Sequence, residues 1–283
     1  RLRFFVLCPI SGRTVLMVHG FMFAFAPLNA AKYLETHNIR LMIPVRAGYL
    51  DEQTATDLFR NEDAGEQTIE ELTLYLDHCW GKPITLMGEM LGNPVAFHLA
   101  KRRPDLVDRL IVLCINTAPG DAKSESFARR YHGGLRQLVS RPTFFRFLAW
   151  QFRSFNRSAK TMRTSITRIA RECPADIAAA EGEKGSGPAY DWMVDVLRAS
   201  PVGIADDYRA VVLGKWADGL SSLDVPLDFI HGEQCSMTSL DDVRALMAQN
   251  PDAGLHVIKG AGHFATATHP EEVWGITNTL LRL

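Results

Sequence analysis

The sequence predicts an α/β protein with a mostly parallel central sheet, helices on both faces and an inserted helical cap. Short apolar runs alternate with longer amphipathic stretches through residues 1–120, a pattern typical of buried parallel strands joined by helices. Residues 121–220 continue the helical spacing but contain no convincing strand, and strand-like runs return in residues 221–283. We therefore expect a core in two parts, 1–120 and 221–283, separated by a cap at 121–220.

Each predicted element follows from the period of its apolar residues. Short, mostly apolar runs of four to ten residues predict strands; they are residues 1–10, Thr14–His19, Ile39–Pro44, Ile84–Met87, Leu110–Ile115, Leu227–Ile230 and Leu255–Ile258. Apolar residues spaced three or four apart predict helices; these are Leu28–His37, Ile69–Cys79, the segment that opens at Gly88 and the final Glu271–Leu281.

Composition excludes several classes of protein. Among 283 residues, 47% are hydrophobic, which is enough for a sizeable core, and the net charge of −1 gives no overall attraction to nucleic acid or membrane. No apolar run reaches the length of about 18 residues that a membrane span needs, and no signal peptide is present. The five cysteines show neither zinc spacing nor an even disulfide set. We expect free thiols, a cytoplasmic location, no metal and no cofactor.

Three glycine-containing signatures follow strands in a fixed order. They are His19-Gly20, Gly88-Glu89-Met90-Leu91-Gly92 and Gly260-Ala261-Gly262-His263-Phe264. With these three signatures in this order, the chain resembles the α/β-hydrolase family over essentially its whole length. The resemblance implies the α/β-hydrolase fold, in which a G-x-S-x-G turn lifts a nucleophile above the sheet, and the flanking glycines make room for that turn.

Two positions of the expected catalytic triad depart from the family pattern. Met90 holds the nucleophile position, and a thioether cannot form an acyl intermediate of the serine type. Cys235 holds the acid position, at the usual 28 residues before His263. A neutral thiol cannot stabilise imidazolium as a carboxylate does. Only His263 remains, so we predict a catalytically degenerate member and not an active enzyme.

Other polar residues offer partial replacements for the missing groups. Ser236 adjoins the acid position, far from the turn, and Glu89 should point away from the site. Asn116 and Asp121 follow the strand after the turn, where some family members place an alternative acid, so Asp121 is a second partner for His263. None of these residues replaces the nucleophile, although a lyase or a cofactor-free oxygenase on this fold would depend less on the residue at the nucleophile position.

The predicted cap contains a basic, aromatic-rich stretch. Ten arginines and one lysine lie in the stretch from Arg129 to Arg171, with no acidic residue and with five phenylalanines and one tryptophan interleaved. Such a stretch can bind nucleic acid or anionic lipid. The helical spacing of Phe144, Phe147 and Phe155 instead favours an amphipathic cap with its aromatic side chains turned inward. We expect neither direct nucleic-acid binding nor membrane binding.

The predicted function is therefore binding of a small hydrophobic ligand in a pocket between core and cap. The expected lining is Phe21, Met22, Met90, Leu91, Cys235 and His263. The segments SGRTVLMVHG and IRLMIPVRAGY, with the arginine-rich cap, also resemble the sensory domain of bacterial helix-turn-helix regulators of the LuxR type. That resemblance implies a DNA-binding domain elsewhere in the full-length chain. Two alternatives stay open: an active hydrolase, lyase or oxygenase with a rearranged site, and an interaction scaffold without a ligand.

Overall fold

The structure is a computed structural model, and it covers the sheet and most of the helices around it. It describes residues 2–7, 11–20, 25–49, 64–117, 138, 141, 143–144, 147, 150–151, 173–181 and 201–283. Phe21, Met22, Asp121 and Phe155, to which predictions were attached, lie outside these residues.

Seven strands form one sheet in the order β1-β3-β2-β4-β5-β6-β7. Their bounds are β1 Arg3–Leu7, β2 Arg13–Val18, β3 Ile39–Val45, β4 Ile84–Glu89, β5 Val107–Leu113, β6 Leu227–Gly232 and β7 Gly254–Ile258. Only β1 pairs antiparallel, at the sheet edge, and every other neighbouring pair is parallel. The prediction of a mostly parallel sheet is confirmed.

Both faces of the sheet are buried, which explains why its strands are continuous apolar runs and not alternating ones. Successive residues of β2 illustrate this: Val15 and Met17 pack in the core on one face, and Leu16 and Val18 in the core on the other. All four side chains are 0% exposed.

Helices cover the two faces of the sheet. Their bounds are α1 Phe25–Thr36, α2 Ala64–Tyr75, α3 Asn93–Arg102, α4 Pro174–Glu181, α5 Pro201–Leu213, α6 Leu240–Met247, α7 Ala265–Thr268 and α8 Pro270–Leu280. A π-helical turn, Leu76–Trp80, extends α2, and 3-10 turns occupy Met90–Gly92 and Ala217–Ser222. No helix among these described residues is both long and apolar enough to cross a membrane.

The described parts of residues 121–220 are helical, but one expectation about the aromatic side chains there is wrong. Phe147 is 49% exposed and Trp150 is 58% exposed, so these rings do not face the interior. Instead Phe144, Phe147 and Trp150 form a row with ring centroids 6.0 Å apart. Helical spacing identified a common face, but the spacing alone does not determine whether that face is covered.

Candidate functional site

The predicted sharp turn between β4 and α3 is present, and Met90 lies at its apex. Met90 has a φ of 48°, in the left-handed region that non-glycine residues seldom adopt. Such a conformation costs on the order of 1 kcal/mol or more, so the surrounding structure must hold it. The Met90 side chain is 1% exposed and packs in the same core as Cys114, Ala261 and Phe264.

Three glycines and one asparagine hold this turn. A Cβ atom at Gly20 would lie 2.8 Å from the backbone carbonyl oxygen of Glu89 and 3.0 Å from the Met90 Cβ. A Cβ atom at Gly92 would collide with the Val18 carbonyl oxygen. At Gly88 it would lie 2.7 Å from Asn93 Oδ1. The Asn93 amide nitrogen also donates to the Met90 carbonyl at 2.9 Å. The turn is therefore fixed by close backbone packing, which does not depend on the side chain at its apex.

Cys235 and His263 are brought together by the loops that follow β6 and β7. Because these strands are parallel neighbours, their carboxyl ends meet at one edge of the sheet. Gln234 N donates to the Ala261 carbonyl at 2.8 Å, which ties the loops together. The Cys235 Sγ then lies 3.4 Å from His263 Nδ1, as the sequence spacing predicts.

Burial keeps both members of this pair neutral. It lowers the pKa of His263 to about 3, with a smaller contribution from the nearby His231. Burial likewise raises the pKa of Cys235 to about 12, although backbone N–H groups of Thr238 and Met237 oppose the rise. Burial therefore disfavours an imidazolium–thiolate pair of the kind that activates cysteine nucleophiles.

Asp176, on α4 in the range predicted as a cap, contacts the same histidine loop. Its carboxylate accepts hydrogen bonds from the backbone N–H groups of His263 at 2.5 Å and Phe264 at 3.1 Å. Asp176 is 1% exposed, and burial raises its pKa to about 6 against the opposing effect of these two bonds. A Cβ at Gly262 would collide with this carboxylate, so the glycine permits the close approach of α4.

Glu89 is buried directly before the apex of the turn. Its side chain does not reach the histidine ring but accepts a hydrogen bond from the Thr266 hydroxyl at 2.5 Å. Burial raises the pKa of Glu89 to about 7, opposed by that bond and by a bond from the Gly20 backbone. The expectation that Glu89 points away from the histidine agrees with this contact.

A second buried cluster joins the loop after β3 to α5. Arg46 and Asp207 form a two-pronged ion pair, 2.9 Å between Nη1 and Oδ1, and the Tyr49 hydroxyl donates to the same carboxylate. The Tyr49 ring also contacts His19 edge-on, at a centroid distance of 4.8 Å. His19 itself is 0% exposed, and its Nδ1 lies 2.8 Å from the Gly20 carbonyl. These contacts agree with a structural role for His19.

Comparison with known proteins identifies the family. A family model described as "Alpha/beta hydrolase family" matches residues 15–275, nearly the whole chain. The chain belongs to the α/β-hydrolase family. Among solved structures it is similar to the enol-lactonase from Burkholderia xenovorans LB400, with a TM-score of 0.67 and 11% identity over 100% of this chain and 96% of that one. A laboratory-evolved potato epoxide hydrolase gives a TM-score of 0.68 and 18% identity, covering 99% and 95%.

One curated relative matches over part of its length. It is a biotin biosynthesis bifunctional protein from Teredinibacter turnerae, 26% identical over 211 residues, which cover 70% of this chain. The chain spans about a third of that relative, 33% of its length. At these identities the solved structures show the α/β-hydrolase fold, and catalysis must be judged from the site itself.

The positions that carry catalysis in the α/β-hydrolase fold indicate what this site can do chemically. In this fold the residue after the nucleophile position supplies a backbone N–H to an oxyanion hole, and here that residue is Leu91. Met90 offers no hydroxyl or thiol to attack a carbonyl, and Cys235 offers no carboxylate to His263. Serine-type acyl transfer therefore has no nucleophile at this turn.

Of the six residues predicted to line a pocket, four are described, and all four are buried. Met90, Leu91, Cys235 and His263 are between 1% and 7% exposed. Two surface cavities in the described part of the chain lie elsewhere. One, of about 380 Å³, lies among α2, α3 and α5, and the other, of about 470 Å³, lies beside the start of β2 and β4. The predicted ligand pocket stays a prediction.

Sequence reasoning missed Asp176. It lies 87 residues from His263 in the chain and acts through two backbone N–H groups, a contact that leaves no pattern in either segment. Asn116, which follows β5 in the region considered for an alternative acid, is 4% exposed, and its side-chain oxygen has no hydrogen-bond partner among the described residues. Among the described residues, no group of three or more histidine, cysteine or acidic side chains is arranged to hold a metal ion.

Proposed function

We propose that this chain binds a small hydrophobic ligand between core and cap without hydrolysing it, and that it serves as a sensor domain. The observation that carries the proposal is the strained turn that holds Met90 where the family places its nucleophile. A turn that retains this geometry without a nucleophile retains the shape of a binding site but not its chemistry. Met90 and the neutral Cys235 also make the floor of such a site less polar than a serine and an aspartate would.

The resemblance to LuxR-type regulators supports the sensor part of the proposal. In that arrangement a DNA-binding domain elsewhere in the full-length chain would respond to the ligand state of this domain. The described cysteines, Cys79, Cys114, Cys173 and Cys235, are all free, which suits the cytoplasm where such a regulator works.

Turnover separates the proposal from the active-enzyme alternative. We expect no hydrolysis of para-nitrophenyl acetate or butyrate above the rate in buffer without protein, and no covalent adduct with a fluorophosphonate probe. Loss of any triad member removes several orders of magnitude of rate. Burst kinetics, or an adduct of the unmodified protein that Met90→Ala still forms, would show that another residue is the nucleophile.

Binding separates the proposal from the scaffold alternative. A thermal-shift screen with apolar molecules of about ten to fifteen carbon atoms should give stabilisers, because each buried CH₂ contributes about 0.8 kcal/mol. Met90→Arg should abolish the shift, whereas Met90→Leu, which keeps the volume and the apolar character, should retain it. A screen without stabilisers would favour the scaffold alternative, in which the chain binds no ligand.

A further inference from the structure

The two nitrogens of the His263 ring have different surroundings. Nδ1 lies 3.4 Å from the Cys235 sulfur. Nε2 is fully buried and finds no hydrogen-bond partner among the residues that the structure describes. A buried imidazole nitrogen without a partner is costly, on the order of 1–3 kcal/mol, so a group outside this set of residues is needed to satisfy it.

Whether Nε2 carries a proton is decided at the other end of the ring. A neutral imidazole carries one proton, and the hydrogen bond at Nδ1 determines which nitrogen holds it. Backbone N–H groups of Thr238 and Met237 already donate to the Cys235 sulfur. A thiol sulfur is a weak acceptor, so with these two N–H groups already directed at it a third bond, from Nδ1–H, would contribute little. In the favourable arrangement the Cys235 S–H group donates a hydrogen bond to Nδ1 of His263, and the ring proton is then on Nε2.

This arrangement is the reverse of the one that a carboxylate imposes. A carboxylate at the acid position accepts the Nδ1–H proton and leaves a lone pair on Nε2, where it acts as a base. A protonated thiol at the same position donates instead of accepting. Cys235 therefore changes Nε2, the ring nitrogen of His263 that does not face the sulfur, from an acceptor into a donor.

We propose that the Nε2–H group of His263 donates a hydrogen bond to a neutral carbonyl oxygen of an otherwise apolar ligand, so that the ligand is a ketone, an ester or a lactone. The inference rests on the proposed function and specifies the chemistry of its ligand. A carboxylate ligand is disfavoured, since Asp176 already places a carboxyl group against the backbone N–H of His263. The low pKa of His263, about 3, means that its ring brings no positive charge to pair with an anion.

The tautomer is tested first, without ligand. Two-bond proton–nitrogen NMR correlations of the ¹⁵N-labelled protein report which ring nitrogen of His263 is protonated, with His263→Gln used for assignment. We expect the Nε2–H form in the unmodified protein and in Cys235→Ser, whose hydroxyl can also donate. Cys235→Asp should convert the ring to the Nδ1–H form. An Nδ1–H form in the unmodified protein would overturn the inference.

Three matched probes then test the ligand chemistry. They are 4-phenyl-2-butanone, 4-phenyl-2-butanol and butylbenzene, measured by calorimetry against the unmodified protein, Cys235→Ser and Cys235→Asp. The ketone should bind the first two proteins about two- to tenfold more tightly than butylbenzene, which is the range of one net hydrogen bond. In Cys235→Asp the ketone should no longer bind more tightly than butylbenzene. The alcohol, whose hydroxyl can donate to an unprotonated Nε2, should still bind this variant more tightly than butylbenzene does.

The outcomes distinguish failure of the inference from failure of the proposed function. Equal binding of all three probes to all three proteins would retain an apolar site and refute the carbonyl preference. No binding of any probe to any of the proteins would refute both the proposed site and its ligand class, whatever the tautomer. Were Cys235→Asp to unfold, the NMR result and the ketone-to-butylbenzene ratio in the unmodified protein would still decide.

Discussion

Glu89 gives the structure a stability that depends on pH in a predictable direction. Its carboxyl is 0% exposed, and burial raises its pKa from 4.5 to about 7 despite the bonds from Thr266 and the Gly20 backbone. Between these two values the folded protein binds more protons at this group than the unfolded chain does. The contribution of Glu89 to stability therefore falls as pH rises through this window, and its cost is fully present only above pH 7.

The magnitude follows from the two pKa values. Because one pKa unit corresponds to about 1.4 kcal/mol, the full cost of ionising Glu89 in the folded state is about 3 kcal/mol. Most of it, about 2–3 kcal/mol, develops between pH 5 and pH 8 by the same relation. Glu89→Gln keeps the volume and an acceptor for the Thr266 hydroxyl but cannot ionise. The free energy of unfolding of this variant, relative to that of the unmodified protein, should be about 2–3 kcal/mol higher at pH 8 than at pH 5.

Urea unfolding at pH 5, 6, 7 and 8 measures this difference between the two proteins directly. Thr266→Val is the matched variant, since it keeps the side-chain shape but removes the O–H donor that lowers the pKa of Glu89. It should make the fall of stability with pH steeper, in the opposite sense to Glu89→Gln. A difference between Glu89→Gln and the unmodified protein that is the same at all four pH values would refute the reasoning.

Two further predictions concern the contacts of the cap helices. Asp176→Ala should lower the free energy of unfolding by about 1–3 kcal/mol, because it leaves two buried backbone N–H groups without their acceptor. Hydrogen exchange should accelerate at those two amides, His263 and Phe264, and Asp176→Asn should protect one of them. Arg46→Met should cost about 3–5 kcal/mol by leaving a buried carboxylate unpaired. In denaturant unfolding, the double variant Arg46→Met/Asp207→Leu should lose less free energy of unfolding than Arg46→Met alone. A larger loss in the double variant would argue against an unpaired charge as the cause.

Much of the fold was predictable because its signals are local. A strand segment buried on both faces must be apolar at successive positions, and Val15–Val18 of β2 and Leu110–Leu113 of β5 are recognisable for that reason. The turn at Met90 was predictable because close packing requires glycine at fixed offsets. The contact between Cys235 and His263 followed from parallel strands that end at one edge of the sheet.

The contacts that α4 and α5 make with the loops of the sheet could not be predicted in the same way. Asp176 binds backbone groups, so the partner segment carries no complementary side chain that would reveal the pairing. The ion pair of Arg46 with Asp207 joins residues 161 apart, and many other acidic residues in the sequence would have served as well. Exposure of Phe147 and Trp150 depends on what lies against their helix face, which helical spacing does not encode.

The geometry of the turn explains why family membership does not decide catalysis here. Gly20, Gly88 and Gly92 hold the apex in place by backbone contacts, so the turn forms with methionine as well as with a nucleophile. The two departures also reinforce each other. With the ring proton on Nε2, as proposed, Met90→Ser alone would place a hydroxyl opposite a donor and not opposite a base. Only the combination with Cys235→Asp supplies both the nucleophile and the lone pair that activates it, which is why the single substitution should remain inactive.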